Sequence, residues 1–505
     1  MALSTTRLPP VVPGPVKIKP HARNTVVHPF DPVDNNASAW FPEAIGKSTL
    51  RIPNEVIPYI DGHAAFKDMV SAIRSATKRG HFIYLVGWRL VTDFQLIPGD
   101  GTTTIESLFT TASAMNVDIR VMLYHQHTEL SGEDNTPAIK FVNELFNGAA
   151  IHDDRVVAGG VLADLGEIFQ GIKLHYVGMH HQKVLIVNGK DGLVAFQGGM
   201  DENPDRLAFA GSPTVGLHDV HTRHRGQAAG SLWELFVERW TDHPQSVNFS
   251  AIPTALAADP AQTVTDNLQV EIGRTYPNSK SHSLFGPGGP YHFAETGEQS
   301  AKALVLNAIA LSKKFIYIED QYLFDMSISN ALKAALPNLK KLIILITAST
   351  QIFDQRQPFA RRKAFIDNLT GGVQPPTNKV IVCANKTGYV HSKTFIFDDK
   401  FAIVGSANLT RRGYSHDSEQ NAGIFDPNIS KRFFFAHELR MNLWAKHLSK
   451  RPIDLVDPIA SSVHWSSPIG NILTYVVAGA DPPQKFPENI LKDVVWNVGL
   501  DPDGT

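Results

Sequence analysis

The chain has 505 residues, 43% of them hydrophobic, which is enough for two or more domains or one large unit of two lobes and excludes a fibrous or disordered protein. Lysines and arginines number 47 against 49 aspartates and glutamates, and the formal net charge of -2 argues against the global positive field of a nucleic-acid-binding protein. The one cysteine, Cys383, excludes an intramolecular disulfide and a cysteine zinc site, and its apolar neighbours predict a core position.

The first segment, residues 1–51, is predicted to be a proline-rich N-terminal arm that packs over the body of the protein, with a disordered tail as the alternative. It lacks the basic start and the apolar stretch of a signal peptide. No apolar run in the chain approaches the roughly 20 residues that span a bilayer. The sequence therefore predicts a soluble protein without a transmembrane segment, either cytoplasmic or exported by a leaderless route.

The same order of elements is predicted in both halves of the chain. An amphipathic helix leads to an apolar strand, and then a second helix leads to a second apolar strand. This alternation predicts an α/β fold of two similar lobes, each a mixed β-sheet flanked by helices, related by an approximate two-fold axis. The repeated segments are 66–73, 81–88 and 118–124 in the first half and 301–309, 314–318 and 341–347 in the second.

The predicted lobes cover residues 52–253 and 264–449. Residues 251–263, rich in alanine, proline and polar side chains, are the expected joint between them. A proline-punctuated C-terminal extension, 450–505, follows the second lobe, and its sequence indicates no role.

A histidine and a lysine two residues apart introduce the first of two similar hairpins. His181 and Lys183 precede an apolar strand, a turn begins at Asn188, and the return strand ends in two glycines, a methionine and Asp201. The turn of this hairpin is long, so its glycines come late.

The second hairpin follows His391 and Lys393. An apolar strand over 394–397 leads to a turn at Asp398 and a return strand over 401–404. Period-two alternation predicts that the histidine and the lysine share one face of a strand and converge on one ligand. Two such pairs in one chain predict a single phosphate site built from two halves. After the return strand come a glycine, which permits close backbone approach, and polar side chains that can donate hydrogen bonds: Gly405, Ser406 and Asn408.

Residues 391–408 resemble the signature of the phospholipase D superfamily, H-x-K-x4-D followed by x6-G-S-x-N, at every defined position. The first copy departs from it, because Asn188 occupies the aspartate position and Asp201 stands where the asparagine would be. Asn188, Asp398 and Gly405 are expected to support the hairpins rather than the chemistry. Further segments are similar to true phospholipase D enzymes, and the likeness runs from about residue 52 to 447: 179–183, 196–201, 217–221, 236–240, 316–322 and 439–444.

Two imidazoles and two ammonium groups can cleave a phosphodiester. One neutral imidazole attacks phosphorus and forms a phosphohistidine, and the other, protonated, gives its proton to the leaving alkoxide. The residues alone do not say which histidine attacks; the resemblance implies His181 as nucleophile and His391 as acid and base. Lys183 and Lys393, with Asn408 and Ser406, are expected to bind the phosphate oxygens.

Carboxylates are expected to orient the two imidazoles. The resemblance implies that Asp219 orients His181 and that Glu419 orients His391, with a surface salt bridge or helix cap as the alternative for each acid. Asp201 is expected to orient a lysine or a histidine instead of contacting phosphate.

The chain has 21 histidines, and two pairs have the spacing of metal ligands, His125 with His127 and His221 with His224. A lysine two residues after each key histidine would repel a cation, and the resemblance implies chemistry that needs no metal and no cofactor.

The resemblance implies a phospholipase D that hydrolyses the terminal phosphodiester of glycerophospholipids to phosphatidic acid and an alcohol, with transphosphatidylation when another alcohol intercepts the intermediate. The alternatives are a phosphatidyltransferase of the cardiolipin or phosphatidylserine synthase type, a nuclease of the same superfamily, and a lipid-binding protein with a decayed site. The expected partners are a phospholipid substrate and a membrane surface that the protein meets peripherally, as a monomer, with no nucleic acid.

Overall fold

A computed structural model describes most of the chain. The described residues are 37–42, 48–124, 134–153, 179–207, 216–277, 291–347, 356–385, 388–415, 417–428, 433–468 and 470–474. His125, His127, most of the predicted N-terminal arm and the end of the C-terminal extension lie outside them.

The first half of the chain forms a seven-stranded sheet with the order β2-β9-β7-β6-β3-β4-β5. Strands β3, β4 and β5, at one end of this sheet, are parallel, and the other neighbours are antiparallel. The strands are β2 (Asn54–Ile60), β3 (Phe82–Gly87), β4 (Asp118–Tyr124), β5 (Gly148–Asp153), β6 (Val184–Gly189), β7 (Gly192–Gly198) and β9 (Val220–Gly226).

The second half repeats this order as β10-β18-β17-β16-β12-β13-β14, again with three parallel strands at one end. These strands are β10 (Gln269–Tyr276), β12 (Phe315–Glu319), β13 (Lys341–Thr347), β14 (Val380–Asn385), β16 (Thr394–Phe397), β17 (Phe401–Gly405) and β18 (Glu419–Phe425). Three short strands extend this sheet: β1 (Leu50–Arg51), β11 (Glu298–Gln299) and β19 (Ile472–Thr474). The predicted fold class, two similar α/β lobes with approximate two-fold symmetry, is therefore confirmed.

Helices cover both sheets. One outer set packs on the first sheet, a second outer set packs on the second sheet, and two long helices lie in the core that both sheets share. The outer helices are α1 (Gly62–Ser75), α2 (Ile105–Ala114), α3 (Thr136–Glu144), α5 (Ser300–Leu311), α6 (Met326–Ala335) and α7 (Arg356–Thr370); the shared ones are α4 (Gln227–Asp242) and α8 (Phe435–Leu448). Two single-turn helices, α9 (Pro458–Ser461) and α10 (Val463–Ser466), follow α8.

The sequence patterns account for these elements. Every residue of β3 and β12 is buried, because a central strand covered by helices on both faces needs a continuous apolar run. In α1 the buried side chains recur at intervals of three or four residues, as Phe66, Met69, Val70 and Ile73. That spacing places them on one face, against the outer side of the first sheet.

Segments outside the predicted lobes complete the second lobe. Trp40 stacks on Phe401 at 5.4 Å, and β1 pairs with β10. Beyond residue 450, β19 pairs with β14, and Trp465 joins the shared core. No helix in the described part of the chain is long and apolar enough to cross a membrane.

Candidate active site

The two lobes meet where the signature histidines lie. A two-stranded parallel sheet, β8 (Leu217–His218) with β15 (Tyr389–Val390), joins them on one side. On the other side, His180 forms a bridge with Ser418. The imidazole centroids of His181 and His391 are 6.4 Å apart. Both side chains are nearly nine-tenths buried, so the structure brings the two halves of the motif into one enclosed site.

The prediction that His391 and Lys393 share a strand is wrong. Strand β16 begins at Thr394, and residues 391–393 precede it. The reason is a contact between lobes: the backbone N–H groups of His391 and Ser392 both donate to the carbonyl of His218, at 2.8 and 3.1 Å. The histidine of the first lobe makes the corresponding contact with the second lobe: the N–H of His181 donates to the carbonyl of Ser418 at 3.0 Å.

The predicted pairing of acids with histidines is also wrong, because each carboxylate serves the histidine of the other lobe. Nδ1 of His181 lies 2.9 Å from Oε1 of Glu419. Nδ1 of His391 lies 2.7 Å from Oδ2 of Asp219. Each acid comes one residue after the carbonyl that binds the opposite histidine's backbone, so the contact between lobes fixes both bonds. In each ring Nε2 is then the nitrogen that faces away from the carboxylate.

The backbone carbonyl of Ser406 sets the tautomer of His181. This oxygen lies 3.1 Å from Nδ1 of His181 and can only accept a hydrogen bond. Nδ1 therefore carries the proton, and in the neutral ring Nε2 has the free electron pair. Burial and the ammonium of Lys183 lower the pKa of His181 well below its ordinary value, which favours that neutral ring.

The lysines lie close to the histidines and are themselves held in place. Nζ of Lys183 donates to the carbonyl of His181 at 3.0 Å and pairs with Oδ2 of Asp201 at 3.2 Å. Nζ of Lys393 donates to Oε1 of Gln321 at 3.1 Å and to the carbonyl of His391. Burial lowers the pKa of Lys393 to about 7. Asp201 thus orients a lysine.

Burial and Lys393 lower the pKa of His391 well below its ordinary value, and Arg206 and Lys183 add to this. Burial raises the pKa of Glu419 well above its ordinary value, with Asp417 as the next cause. These shifts share one origin, charged groups crowded into a dry site between two lobes. An anionic phosphate between the lysines would offset part of their charge and raise the pKa of both imidazoles.

The remaining signature residues divide into supports and candidates for binding. The hydroxyl of Ser406 donates to Glu419, so in this structure it braces the acid instead of facing the lysines. Asn408 is buried, and its Oδ1 has no hydrogen-bond partner among the described residues.

The predicted supports lie in or beside the hairpins. Asp398 accepts three backbone N–H bonds, from residues 313 to 315. Asn188 lies within β6, opposite Phe82, and its strand ends one residue later. Gly405 has no room for a side chain, since a Cβ there would be 2.0 Å from Oδ1 of Asn421.

Comparisons with known proteins show what this chain resembles. A family model described as the PLD-like domain of cardiolipin synthase matches residues 305–434, which include the second signature. Phospholipase D alpha 1 of Nicotiana tabacum is 23% identical, over 79% of this chain and 66% of its own length. Phospholipase D alpha 1 of Carica papaya is 24% identical, over 81% and 66%. These matches support the predicted resemblance to the phospholipase D superfamily. The chain spans about two thirds, 66%, of the length of these two relatives.

A solved structure supports the fold of this chain. The crystal structure of phosphatidylserine synthase from Haemophilus influenzae Rd KW20 aligns with a TM-score of 0.54 at 12% identity, over 87% of this chain and 92% of its own. At that identity the likeness concerns the fold alone.

Several residues at the superfamily site were not predicted from the sequence. Trp88 packs edge-on against His181 at 5.6 Å, and Gln321 accepts from Lys393. Trp88 directly follows β3, and Gln321 lies two residues after the end of β12. Ligand sites in α/β folds form at the carboxyl ends of such strands, so position could have identified both residues. Arg206, 3.7 Å from Asp219, follows no pattern in the sequence that would have revealed it.

His221 and His224, which have the spacing of metal ligands, do not converge on one site. Residues three apart on a strand face opposite sides, and the two rings contact the Met200 N–H and the Thr222 hydroxyl respectively. In the part of the chain that the structure describes, one group has metal-ligating atoms close together, all within 4.8 Å of one another: His218, Glu319 and His447.

Proposed function

We propose that this protein is a phospholipase D-type phosphodiesterase that cleaves the terminal phosphodiester of a glycerophospholipid through a phosphohistidine. The observation that carries the proposal is the pair of imidazoles 6.4 Å apart, each with Nδ1 bound to a carboxylate of the other lobe. Because each Nδ1 is bound to a carboxylate, Nε2 is in both rings the nitrogen left for the substrate.

In the first step, Nε2 of His181 attacks phosphorus, and the bond from phosphorus to the headgroup oxygen breaks. His391, protonated at Nε2, gives its proton to the departing oxygen, which leaves as an alcohol. The Ser406 carbonyl favours His181 as the nucleophile, because it keeps the proton on Nδ1 and the electron pair on Nε2. Asp219 stabilises the charged form of His391 that serves as the acid.

In the second step, neutral His391 takes a proton from water, and the resulting hydroxide attacks the phosphohistidine. The bond from phosphorus to His181 breaks and phosphatidic acid leaves, with His391 again protonated. Lys183 and Lys393 bind the non-bridging oxygens, and their positive charge stabilises the negative charge that these oxygens carry in the transition state. An alcohol in place of water would give transphosphatidylation by the same step.

A phosphatidyltransferase is the second candidate, and the match of residues 305–434 to the cardiolipin synthase PLD-like domain favours it. The two candidates share the phosphohistidine and differ only in the incoming nucleophile, water or a lipid or amino-acid hydroxyl. Either activity implies a phospholipid substrate and peripheral contact with a membrane surface.

The test is incubation with a panel of phospholipid vesicles, with and without ethanol, followed by identification of the lipid products by mass. Without ethanol, phosphatidic acid is the expected lipid product. With ethanol, phosphatidylethanol is expected as well. Cardiolipin or phosphatidylserine formed from the appropriate acceptor, without phosphatidic acid, would favour the transferase. Cleavage of lipid in the presence of ethanol that yields no phosphatidylethanol would contradict the covalent route.

The His391→Asn variant is the matched control. It should lose turnover by roughly 10²- to 10⁴-fold or more, because the acid is gone, while its binding to vesicles persists. A lipid-binding protein would be indifferent to this change. Salt-sensitive degradation of DNA with inert vesicles would identify a nuclease.

A further inference from the structure

A second cluster of titratable side chains lies beside the site and joins the two lobes. His218 of the first lobe contacts a carboxylate with each ring nitrogen: Nδ1 is 2.8 Å from Oδ1 of Asp61, and Nε2 is 2.9 Å from Oε2 of Glu319. Glu319 ends β12 in the second lobe, so the imidazole spans the boundary. We call Asp61, His218 and Glu319 the His218 clamp.

Other groups face the clamp from every element around it. Nε2 of His447 and the hydroxyl of Tyr317 donate to Oε1 of Glu319, at 3.0 and 2.7 Å. Nζ of Lys446 donates to Oδ2 of Asp61 and lies 2.7 Å from Nδ1 of His218. His218, Glu319 and His447 are almost completely buried.

The clamp holds the backbone that positions His391. The carbonyl of His218 accepts the N–H bonds of His391 and Ser392, and the next residue, Asp219, binds the His391 ring. Asp61 is tied to the same segment twice, since its N–H donates to the Asp219 carbonyl and its Oδ1 accepts the Asp219 N–H at 3.3 Å. Displacement of the His218 ring would therefore displace both groups that fix His391.

Charge balance favours a proton over a metal ion in this cluster. Two carboxylates, Asp61 and Glu319, are balanced by Lys446 and a protonated His218. Burial and His218 lower the pKa of His447 to about 4, so that ring is neutral and needs no further charge. The N···O distances of 2.9 and 3.0 Å to Glu319 are those of hydrogen bonds that already satisfy both rings.

The equivalent position beside His181 is built differently. There the carbonyl that binds the nucleophile's N–H belongs to Ser418, whose hydroxyl lies 2.8 Å from Nδ1 of His180. The cation behind it is Arg239, paired with Asp153 at 2.9 Å. An arginine stays charged at every physiological pH, whereas a histidine does not. The cation that supports the His391 side is thus a titratable imidazole, whereas the corresponding cation on the His181 side, Arg239, is not.

We infer that His218 is a positioning residue for His391: as an imidazolium bridging Asp61 and Glu319, it locks the segment that aims the catalytic acid. This inference rests on the proposed function. When His218 loses its proton, one of the two carboxylates, Asp61 or Glu319, loses its donor in this ring. Lys446 can then donate to Nδ1 of His218, which replaces the hydrogen bond between Nδ1 and Asp61. The catalytic acid would lose its alignment while the phosphate-binding lysines remain.

The direction of the pH dependence follows from the surrounding charges. Burial and the ammonium of Lys446 lower the pKa of His218, but the carboxylates of Glu319 and Asp61 outweigh them and raise it to about 8. The group's pKa in an unfolded chain is about 6.5. The clamp therefore contributes its full stability below that pH and loses it as the pH rises through about 8.

The experiment measures kcat and KM from pH 5.5 to 9.5 and follows the His218 ring by NMR. Asp61→Asn removes an anion and should move the alkaline limb of kcat, and the NMR midpoint of His218, to lower pH. Lys446→Met removes a cation and should move both to higher pH. Lys393 also titrates in this range, but its hydrogen bonds go to Gln321 and His391, so neither variant should move its titration.

His218→Gln should lower kcat at least tenfold, with KM changed less than twofold. When Asp61→Asn is added to this variant, the alkaline limb of its kcat should no longer move. The control is His224→Gln, another buried histidine of the first lobe, whose pKa burial lowers to about 3. The His224→Gln variant should not change the pH of the alkaline limb of kcat.

Three results would overturn the inference: an NMR midpoint at or below 6.5, the same direction of shift in both charge variants, or one zinc ion per wild-type chain that His447→Gln removes. The NMR titration needs no turnover. A wild-type protein that cleaves no phosphodiester would thus contradict the proposed function, while opposite shifts of the His218 midpoint would still support the clamp.

Discussion

At the scale of single residues, the site depends on two acids that each cross to the other lobe. Glu419 binds His181, and Asp219 binds His391. The two contacts are not equivalent, because Nδ1 of His181 also contacts the backbone carbonyl of Ser406. Among the described residues, Nδ1 of His391 has no such carbonyl beside it. We therefore expect substitution of each acid to impair a different chemical step.

A substrate with a p-nitrophenyl leaving group separates those steps, since nitrophenolate leaves without a proton. Asp219→Asn weakens only His391, so the first step should survive and release a burst of about one nitrophenolate per enzyme before turnover stalls. Glu419→Gln should lose the burst, with the rate reduced by roughly 10²- to 10⁴-fold, because His181 loses the carboxylate that stabilises the positive charge its ring gains on attack.

Rapid-mixing absorbance would measure the burst, with His391→Asn and His181→Asn as the matched pair. Asp219→Asn should behave like His391→Asn, and Glu419→Gln like His181→Asn. The reverse correspondence would contradict the crossed contacts and restore the pairing within each lobe.

At the scale of elements, the ends of the signature hairpins leave room for the orienting acids. Strand β7 ends at Gly198, and a Cβ on the next residue, Gly199, would lie 2.1 Å from Oδ1 of Asp219. The glycine is needed for space at this point, and its absence would push the carboxylate away from His391.

Gly199→Ala should therefore lower kcat at least about tenfold, the equivalent of roughly 1.4 kcal/mol of barrier, and destabilise the fold by roughly 1–3 kcal/mol through overpacking. Steady-state kinetics and thermal unfolding would measure both. Gly230→Ala is the control, because a Cβ there has its first neighbour at 3.6 Å, within α4. That change should stabilise the fold by roughly 0.5–1 kcal/mol and leave kcat unchanged. Equal kinetics in the two variants would contradict the role given to Gly199.

At the scale of the whole molecule, the lobes share a hydrophobic core and the candidate active site. The core cluster that includes Trp240 of α4 and Trp444 of α8 takes side chains from both sheets. Each histidine also takes its acid and its backbone acceptor from the opposite half. We propose that residues 52–253 and 264–449, although separate lobes along the sequence, unfold together as one cooperative unit.

Fragments 1–253 and 264–505, divided at the predicted joint, should each lack activity and expose apolar surface. Mixed or coexpressed, they should restore measurable cleavage, because the contacts between them complete both the core and the site. Activity assays, binding of a hydrophobic dye and size-exclusion chromatography would check this. Activity from either fragment alone would contradict the shared site.

Much of this protein could be predicted from the order of its residues. Continuous apolar runs such as β3 and β12 predicted the buried central strands, and their repetition predicted two lobes. The spacing from His391 to Asn408 identified the superfamily and one hairpin of the site. These features are local, because they depend on periodicity and on fixed offsets within some twenty residues.

Tertiary structure decided which distant groups meet. The exchange of Asp219 and Glu419 between the lobes, the place of His391 ahead of its strand, and the His218 clamp all depend on contacts between segments more than 100 residues apart. Each histidine and each acid has the same local surroundings whether it pairs within its lobe or across the interface. Only the packing of one lobe against the other brings a carbonyl to the histidine's N–H and so selects the acid that follows it.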